Sequence, residues 1–432
     1  MAPEMAMTES ITELNILLAN YRYFISGGPE RYLFNAKKMF EFNGHNVIPF
    51  SVKHPRNRET EFEEYFLSSL SDRKDASTLR QFKKSPKTLL KLFDRTFYSV
   101  EARAKVKRLL DHHKVDVAYV LHFLRWISPS IFSEFSKRNI PIIVRISDFE
   151  YMCPGAHLLR DGEICELCIG KKLWPSVKHK CIQNSSVLSF IHYLAMTFHK
   201  KSGFLDKIDA FICPSRFTLG KMCAAGYDEG KLFHVPTFVD YQRITPNFDV
   251  GQYILYFGRI SVEKGVDLLI DAIEVYKRRN HDQLMPLYIV QTGMDETKQL
   301  EERVRSKNLT EVKILTDLTP KQFYSYVQQS AFTVVPSLFY ENLPNVILES
   351  YAYGKPVLGS RRGSFLEVIQ DGKTGLLFEP GDTEDLADKI GWLVNHPDEC
   401  VKMGRNAREL AEKEYNRNLH YDRLMNVFKR FL

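Results

Sequence analysis

Short apolar runs alternate with amphipathic segments along most of the chain. Near the start, residues 15–19 are mostly apolar, residues 26–30 form a glycine-containing turn, residues 31–43 are amphipathic and residues 47–51 are again mostly apolar. Strand, turn, helix and strand in this order predict a parallel β-α-β unit. The turn lacks the dinucleotide fingerprint G-x-G-x-x-G, so we do not interpret the unit as a dinucleotide site.

The same alternation continues on both sides of a polar linker at residues 241–251. It predicts further strands at residues 115–121, 142–146, 210–213, 253–258, 287–291, 312–315 and 333–335. Open parallel sheets carry their chemistry at the carboxyl ends of the strands. His122 and Asp148 come at or just after two of these ends and are candidates by position, although a lone histidine there can also be structural.

The segment from residue 334 to 356 carries the densest chemistry. Pro336-Ser337 ends a strand, Leu343 and Pro344 are expected to open a helix, and Gly354 with Lys355-Pro356 stops it. Glu341 precedes this helix and Glu349 lies within it. A helix N-terminus suits a phosphate, and a carboxylate accepts hydrogen bonds from sugar hydroxyls. The pattern therefore indicates a site for a sugar joined to a diphosphate, whereas two glutamates alone would indicate only surface charge.

This segment, together with Phe257-Gly258-Arg259 and Lys264-Gly265, resembles glycosyltransferase family 4. The resemblance covers nearly the whole chain and rests on Glu-x7-Glu after a Pro-Ser strand end, followed by Gly354-Lys355-Pro356-Val357. It implies an α/β protein of the GT-B fold, in which two Rossmann-like β/α/β domains face each other across a cleft. It also implies a reaction that retains the anomeric configuration.

The resemblance implies a role for each motif residue. Arg259 and Lys264 would neutralise the departing diphosphate, since two cations beside glycines can clamp one. Glu341 would hold donor-sugar hydroxyls, and Glu349 would accept from the ribose. The remaining donor contacts implied are Gly28, Gly258, Gly293, Asn342, Leu343 and Asn345. No cofactor or metal is expected for catalysis, because Arg259 and Lys264 would neutralise the diphosphate. In addition, no Asp-x-Asp motif is placed to bind a metal ion for that purpose.

The resemblance also divides the chain into parts. Residues 1–240 would bind the acceptor, with a cysteine-containing insert at 151–185. Residues 250–412 would bind the nucleotide sugar, and residues 413–432 would form a helix that crosses back to the N-terminal domain. The chain departs from the family where relatives often show His-x-His, because it has Tyr119-Val120-Leu121 and then His122. It also has Ser147-Asp148 where many relatives show His-Asp.

Four cysteines fall in the insert with the spacing C-x11-C-x2-C-x12-C. One C-x2-C pair and four thiols in a loop-rich segment can form a structural zinc site. Reduced structural cysteines and disulfides are the other interpretations. The residues are Cys153, Cys165, Cys168 and Cys181.

Composition and charge indicate which classes of binding partner to expect. The chain has 432 residues, 26% of them charged, and a net charge of +7; it is long enough for two domains and suits anionic partners. Residues 73–114 hold thirteen Lys/Arg against four acids, which fits either an anionic membrane surface or a solvated helical face. Residues 187–198 fit either buried core, which we favour, or the membrane interface. Nucleic acid is not expected, because no recognised module is present.

Residues 1–10 do not resemble a signal peptide, and no apolar run reaches the roughly 18 residues of a membrane span. Seven cysteines without an export signal favour a reducing compartment. We expect a cytoplasmic hexosyltransferase, peripheral on the inner face of the membrane, in surface polysaccharide or glycolipid assembly. It would move a sugar from a UDP-sugar, or a GDP-sugar, to a glycan or lipid-linked acceptor. The alternatives are a GT-B nucleotide-sugar epimerase and a non-catalytic sugar-nucleotide or polysaccharide-binding subunit.

Overall fold

The computed structural model describes residues 13–69, 86–170, 172–280, 285–292 and 297–432. Two predictions fall wholly or partly outside these residues. They are the donor contact at Gly293 and the basic stretch, of which residues 73–85 are not described.

Fourteen strands alternate with fifteen α-helices in the described residues. The strands are β1 (Asn15–Asn20), β2 (Asn46–Phe50), β3 (Val117–His122), β4 (Ile142–Arg145), β5 (Leu159–Arg160), β6 (Glu163–Ile164), β7 (Ala210–Cys213), β8 (Leu232–His234), β9 (Ile254–Gly258), β10 (Leu287–Gln291), β11 (Val312–Leu315), β12 (Phe332–Val335), β13 (Val357–Ser360) and β14 (Gly375–Phe378). The helices are α1 (Gly28–Phe42), α2 (Pro86–Phe97), α3 (Val100–His112), α4 (Phe132–Ser136), α5 (Pro175–Lys178), α6 (Ser186–Lys201), α7 (Arg216–Ala224), α8 (Val266–Arg279), α9 (Lys298–Ser306), α10 (Pro320–Gln329), α11 (Asn345–Ala352), α12 (Phe365–Val368), α13 (Thr383–Asn395), α14 (Pro397–Glu414) and α15 (Arg417–Phe428).

The strands form two six-stranded parallel sheets and one small hairpin. The first sheet has the order β2-β1-β3-β4-β7-β8 and the second β11-β10-β9-β12-β13-β14, while β5 pairs with β6. The apolar strands are almost fully buried because helices cover both faces. The prediction of two Rossmann-like domains is therefore confirmed.

Each sheet reverses its winding at one point, between β1 and β3 in the first and between β9 and β12 in the second. Ligands of open α/β sheets bind outside the carboxyl ends of the strands at such a point. His122 closes β3, and Gly258 closes β9. His122 and the loop that begins with Arg259 thus lie at the two reversal points.

The last helix, α15, completes the core of the N-terminal sheet. Leu424, Met425 and Phe428 are buried in the same apolar cluster as Phe40 and Tyr119. The imidazole of His420, on the same helix, contacts the Tyr32 hydroxyl at 3.0 Å and the carbonyl oxygen of Pro236 at 2.6 Å.

Two local predictions are wrong. Pro344 does not lie in the first turn of α11 but caps it in an extended conformation, so the helix begins at Asn345. The preference for core at residues 187–198 fails for one face of α6, because Val187, Phe190, Leu194 and Phe198 are 40–68% exposed. In the part of the chain that the structure describes, no helix has the length and apolar character needed to cross a membrane.

Candidate active site

The loop after β9 packs closely against the loop after β12. Gly265 has a φ of 71°, and a Cβ at this position would lie 2.0 Å from the Pro336 carbonyl oxygen. Only glycine accepts both this backbone conformation and this close approach. The Lys264-Gly265 pair thereby brings the lysine beside the segment that carries Glu341.

Lys264 and Glu341 form the central ion pair of this site. The Lys264 ammonium donates to Oε1 of Glu341 at 2.6 Å, and the Ser337 hydroxyl donates to the same oxygen at 2.8 Å. Both side chains are at most 20% exposed. Because both bonds go to Oε1, Oε2 of Glu341 keeps its capacity to accept from hydroxyl groups. The ammonium also lies 5.0 Å from the centroid of the Phe339 ring.

Arg259 follows β9 directly and is 45% exposed. Its ion pair with Glu263 is loose, with 3.5 Å between nitrogen and oxygen. The Tyr256 hydroxyl donates to the Arg259 carbonyl at 2.5 Å and fixes the backbone at this point. The backbone of Arg259 is thus fixed, while its guanidinium group is accessible to an anion.

The predicted donor contacts on and before α11 have different environments. Asn342 accepts a bond of 2.8 Å from the Thr218 hydroxyl of the N-terminal domain. Leu343 is only 8% exposed and packs in the domain core, so its side chain does not line the cleft. Asn345 donates to the Gly28 carbonyl oxygen at 3.3 Å.

Glu349 is joined to the opposite domain. Nη1 of Arg31, on α1, donates to both of its oxygens at 3.0 and 3.2 Å. Burial raises the pKa of Glu349, and the Arg31 charge opposes this shift. The N-terminal ends of α1 and α11 therefore meet across the cleft, and both present the positive end of a helix dipole there.

On the N-terminal side, His122 and Asp148 are in contact with each other. Nε2 of His122 lies 3.2 Å from the Asp148 carboxylate, and Glu150 is a third partner at 3.9 Å. Burial alone lowers the pKa of His122, but the carboxylates of Asp148 and Glu150 outweigh it, so the pKa is raised. Burial would raise the pKa of Asp148, yet His122 holds it below the usual range.

Sequence reasoning missed Glu150 and Arg125 in this cluster. Arg125 forms an ion pair with Glu150. The ligand atoms of His122, Asp148 and Glu150 lie within 4.8 Å of one another, which is compatible with a metal ion. Arg125 already pairs with Glu150, however, and His122 pairs with Asp148, so each carboxylate has a partner within the protein.

Sequence reasoning also missed His157. His157 is an exposed residue of the N-terminal domain, and its ring packs edge-on against Phe339 of the C-terminal domain, with 6.0 Å between centroids. Burial lowers the pKa of His157, while the Asp148 and Glu263 carboxylates oppose the shift. The flanking residues Ala156 and Leu158 have φ values of 66° and 50°, a strained conformation typical of functional loops.

The four cysteines of the insert approach one another without forming a closed metal site. All are free thiols, and each of the other three raises the pKa of Cys168 after burial, the main cause. Backbone N–H groups of residues 155–158 are directed at the Cys153 sulfur. Among the described residues, however, no three of these sulfurs gather within 4.8 Å. The donor set fits zinc, but the spacing would have to contract.

Known proteins match part of this chain in sequence. Residues 240–410 match the family model described as glycosyl transferases group 1. An uncharacterized glycosyltransferase of Methanocaldococcus jannaschii is 32% identical over 37% of this chain and 43% of its own length. The alpha-D-kanosaminyltransferase of Streptomyces kanamyceticus is 28% identical over 41% of this chain and 45% of its own length. The chain thus spans less than half the length of these curated relatives.

Solved structures match almost the whole chain at low identity. Sucrose-phosphate synthase of Thermosynechococcus elongatus superposes with a TM-score of 0.70 at 16% identity, over 97% of this chain and 99% of that one. The chain has the GT-B fold. Anabaena HepE, solved in complex with UDP and glucose, superposes with a TM-score of 0.65 at 14% identity over 97% and 100% of the two chains. In this GT-B chain, the group 1 region contains Arg259, Lys264, Glu341 and Glu349, and the N-terminal domain supplies Arg31, Asp148 and His157.

Proposed function

We propose that the protein is a retaining glycosyltransferase of family 4. It would transfer a hexose from a nucleotide diphosphate sugar to a glycan or lipid-linked acceptor. The observation that carries this proposal is the convergence of Arg259, Lys264 and Glu341 at the reversal point of the C-terminal sheet, opposite the paired N-terminal ends of α1 and α11.

The charged side chains of the site account for the proposed cleavage of the donor. Breaking the bond between the anomeric carbon and the diphosphate leaves negative charge on the phosphate. Fixed cations stabilise such charge most when they are held in place beforehand. Lys264 is held by Glu341, and its ammonium has two further protons to donate. Arg259 supplies the second charge from an accessible position.

The carboxylates orient the donor. Oε2 of Glu341 accepts from donor-sugar hydroxyls. Both oxygens of Glu349 contact a single nitrogen of Arg31, so each keeps a lone pair for a ribose hydroxyl. The leaving phosphate takes the proton of the acceptor hydroxyl, and no separate general base is required.

His157 and Asp148 serve the acceptor side. His157 contacts Phe339, the ring that also lies against Lys264, so it stands where an acceptor hydroxyl would approach the sugar. Since its pKa is lowered, the imidazole is neutral near pH 7 and can accept or donate one hydrogen bond. It is a group the chain can use in place of the motif histidines that it lacks.

UDP-sugars are the favoured donors, with GDP-sugars second. The support is that the similar fold of Anabaena HepE was solved with UDP and glucose. The proposed setting is surface polysaccharide or glycolipid assembly on the cytoplasmic face of the membrane. No observation favours the epimerase or the non-catalytic subunit.

Thermal unfolding with UDP, GDP, ADP and UDP-glucose tests the donor site. A ligand at about 100 times its Kd stabilises a protein by about 2.7 kcal/mol. We expect one nucleotide to raise Tm in the wild type and in Lys373→Ala, an exposed lysine of the same domain, but not in Lys264→Ala. Absence of any shift would count against the donor site. Conversion of the donor sugar without an acceptor would indicate an epimerase.

A further inference from the structure

Two helices of the N-terminal domain, α2 and α6, carry an apolar surface that no other described element covers. On α6 the exposed apolar positions recur every three or four residues, so they form one stripe along the helix. We call the combined surface the α2/α6 face. Its exposed members are Leu90 (71%), Phe93 (57%), Trp174 (54%), Val187 (68%), Phe190 (42%), Leu194 (40%) and Phe198 (40%).

The members of this face are continuous. Phe93 stacks on Phe97 with 4.5 Å between ring centroids, and Phe97 contacts Phe198 at 6.1 Å. At the other end, Trp174 packs edge-on against Phe190 at 6.4 Å and Tyr193 at 5.4 Å. A connected apolar surface of this kind marks an interaction site, unlike scattered single residues.

The opposite side of α6 is fixed to the protein. Ser189, His192, Ala195 and His199 are at most 7% exposed. Nε2 of His199 bonds the Phe97 carbonyl oxygen at 2.9 Å and ties α6 to α2. The stripe is therefore held outward by a packed helix rather than presented by a loose segment.

The charge around the α6 part of the face is mainly positive. Residues 171–207 contain seven lysines, one aspartate and no glutamate. The lysines that the structure shows as exposed border α5 and the end of α6; they are Lys172, Lys178, Lys180 and Lys201. Apolar side chains with a lysine border, and with Trp and Tyr at the edge, are the pattern of a helix lying in the membrane interface.

We propose that the α2/α6 face binds the surface of an anionic lipid bilayer. The apolar stripe enters the boundary between headgroups and acyl chains, while the lysines contact lipid phosphates. A second copy of this chain fits less well, because a twofold contact through the same surface sets lysines against lysines. The face belongs to the domain that carries His157, so bilayer binding brings the acceptor half of the cleft to a lipid-linked acceptor. This last consequence rests on the proposed function, but bilayer binding does not.

The test is co-sedimentation of the full chain with vesicles of phosphatidylcholine alone or mixed with phosphatidylglycerol. We expect the wild type to bind the anionic vesicles at least about tenfold more tightly than the neutral ones. The double variant Phe190→Ser/Leu194→Ser should lose about tenfold, and Lys178→Glu/Lys180→Glu should lose the preference for anionic lipid. Leu366→Ser is the matched control, since Leu366 is 54% exposed on the C-terminal domain.

These variants alter exposed side chains, so an unchanged Tm shows that each has folded. Equal binding of the wild type and the Phe190→Ser/Leu194→Ser variant would overturn the proposal, as would failure of the wild type to bind anionic vesicles. Concentration-dependent self-association of the wild type, abolished in the same double variant, would assign the face to a second copy instead. Loss of vesicle binding with an unchanged nucleotide-induced Tm shift would separate this inference from the donor site.

Discussion

Arg31 and Glu349 lie 318 positions apart in the sequence and are joined by one nitrogen that donates to both carboxylate oxygens at 3.0 and 3.2 Å. Arg31 is on the first helix of the N-terminal domain, and Glu349 is on the helix that follows the donor motif. The pair therefore connects closure of the two domains to the carboxylate assigned to the ribose.

Arg31→Ala should shift the protein towards an open form. A hydrogen bond to a charged group contributes about 1.5–3 kcal/mol, so the equilibrium between closed and open forms should move by about tenfold or more. Small-angle scattering should show a larger radius of gyration than in the wild type. Lys38→Ala, an exposed position on the same helix, is the control; an unchanged radius for Arg31→Ala would mean that the pair does not hold the domains together.

Lys264→Ala should lower kcat/KM by about 100-fold, the scale for losing one preorganised charge contact in the transition state. The variant also leaves Glu341 without its cation. Initial rates of nucleotide release in the presence of acceptor measure the effect, with Lys373→Ala as the control. A change below about threefold would contradict the role given to Lys264.

His157→Gln should reduce transfer to the acceptor by about tenfold, because a hydrogen bond contributes about 0.5–1.5 kcal/mol. The Tm shift with UDP should remain, because Arg259, Lys264, Glu341 and Glu349, the charged residues assigned to the donor, are on the other domain. Since the pKa of His157 is lowered, its imidazole stays neutral until the pH falls through this lowered pKa. The wild type therefore loses the contribution of neutral His157 to the transfer rate only at such acidic pH. The variant should lack this acidic limb of the rate profile, and a profile identical to the wild type would refute the assignment. His396→Gln is a control on the C-terminal domain, where the ring stacks on Trp392.

The contact between His122 and Asp148 predicts how stability depends on pH. The pKa of His122 is raised in the folded state, so its contribution is complete below the pKa of the unfolded chain and is lost as the pH rises through the folded value. Asp148 behaves oppositely: its pKa is lowered, so its contribution is lost as the pH falls through that value. We expect the Tm of the wild type to decline from pH 6 towards alkaline pH more steeply than that of His122→Asn. Parallel curves for the two proteins would show that the contact does not stabilise the charged imidazole.

The cysteine cluster predicts one zinc ion per chain, held by Cys153, Cys165, Cys168 and Cys181. Elemental analysis of freshly purified protein should find it, and Cys168→Ser should lose it and unfold at lower temperature. Cys223→Ser, outside the insert, should keep the metal. Metal-free wild type with the same Tm before and after chelation would show that the thiols serve as ordinary packing groups.

The sequence was a good guide wherever one motif sets the geometry. Lys264 and Glu341 meet because each follows a strand at the same reversal point and because Gly265 permits the contact. Arg31 could not be assigned in this way, since its partner depends on how two domains close. His157 lies in an irregular loop without periodicity, so no pattern distinguishes it from any other loop residue.

The stripe on α6 shows a different limit. The apolar run of residues 187–198 is consistent with either buried core or the membrane interface, because an apolar pattern alone does not say whether a helix faces protein, lipid or another chain. The absence of acids and the flanking lysines were the available signal, and the exposure of Phe190 and Leu194 makes that signal decisive against a buried core.

The return of α15 to the N-terminal sheet has a consequence for biosynthesis. Phe428 and His420 fill space between Tyr32, Phe40 and Tyr119, and both follow the whole C-terminal sheet in the sequence. The first domain to emerge therefore cannot complete its core until the second has been translated. Nascent chains stalled before residue 417 should expose this unfilled apolar site to chaperones, although every strand of both sheets has already been made.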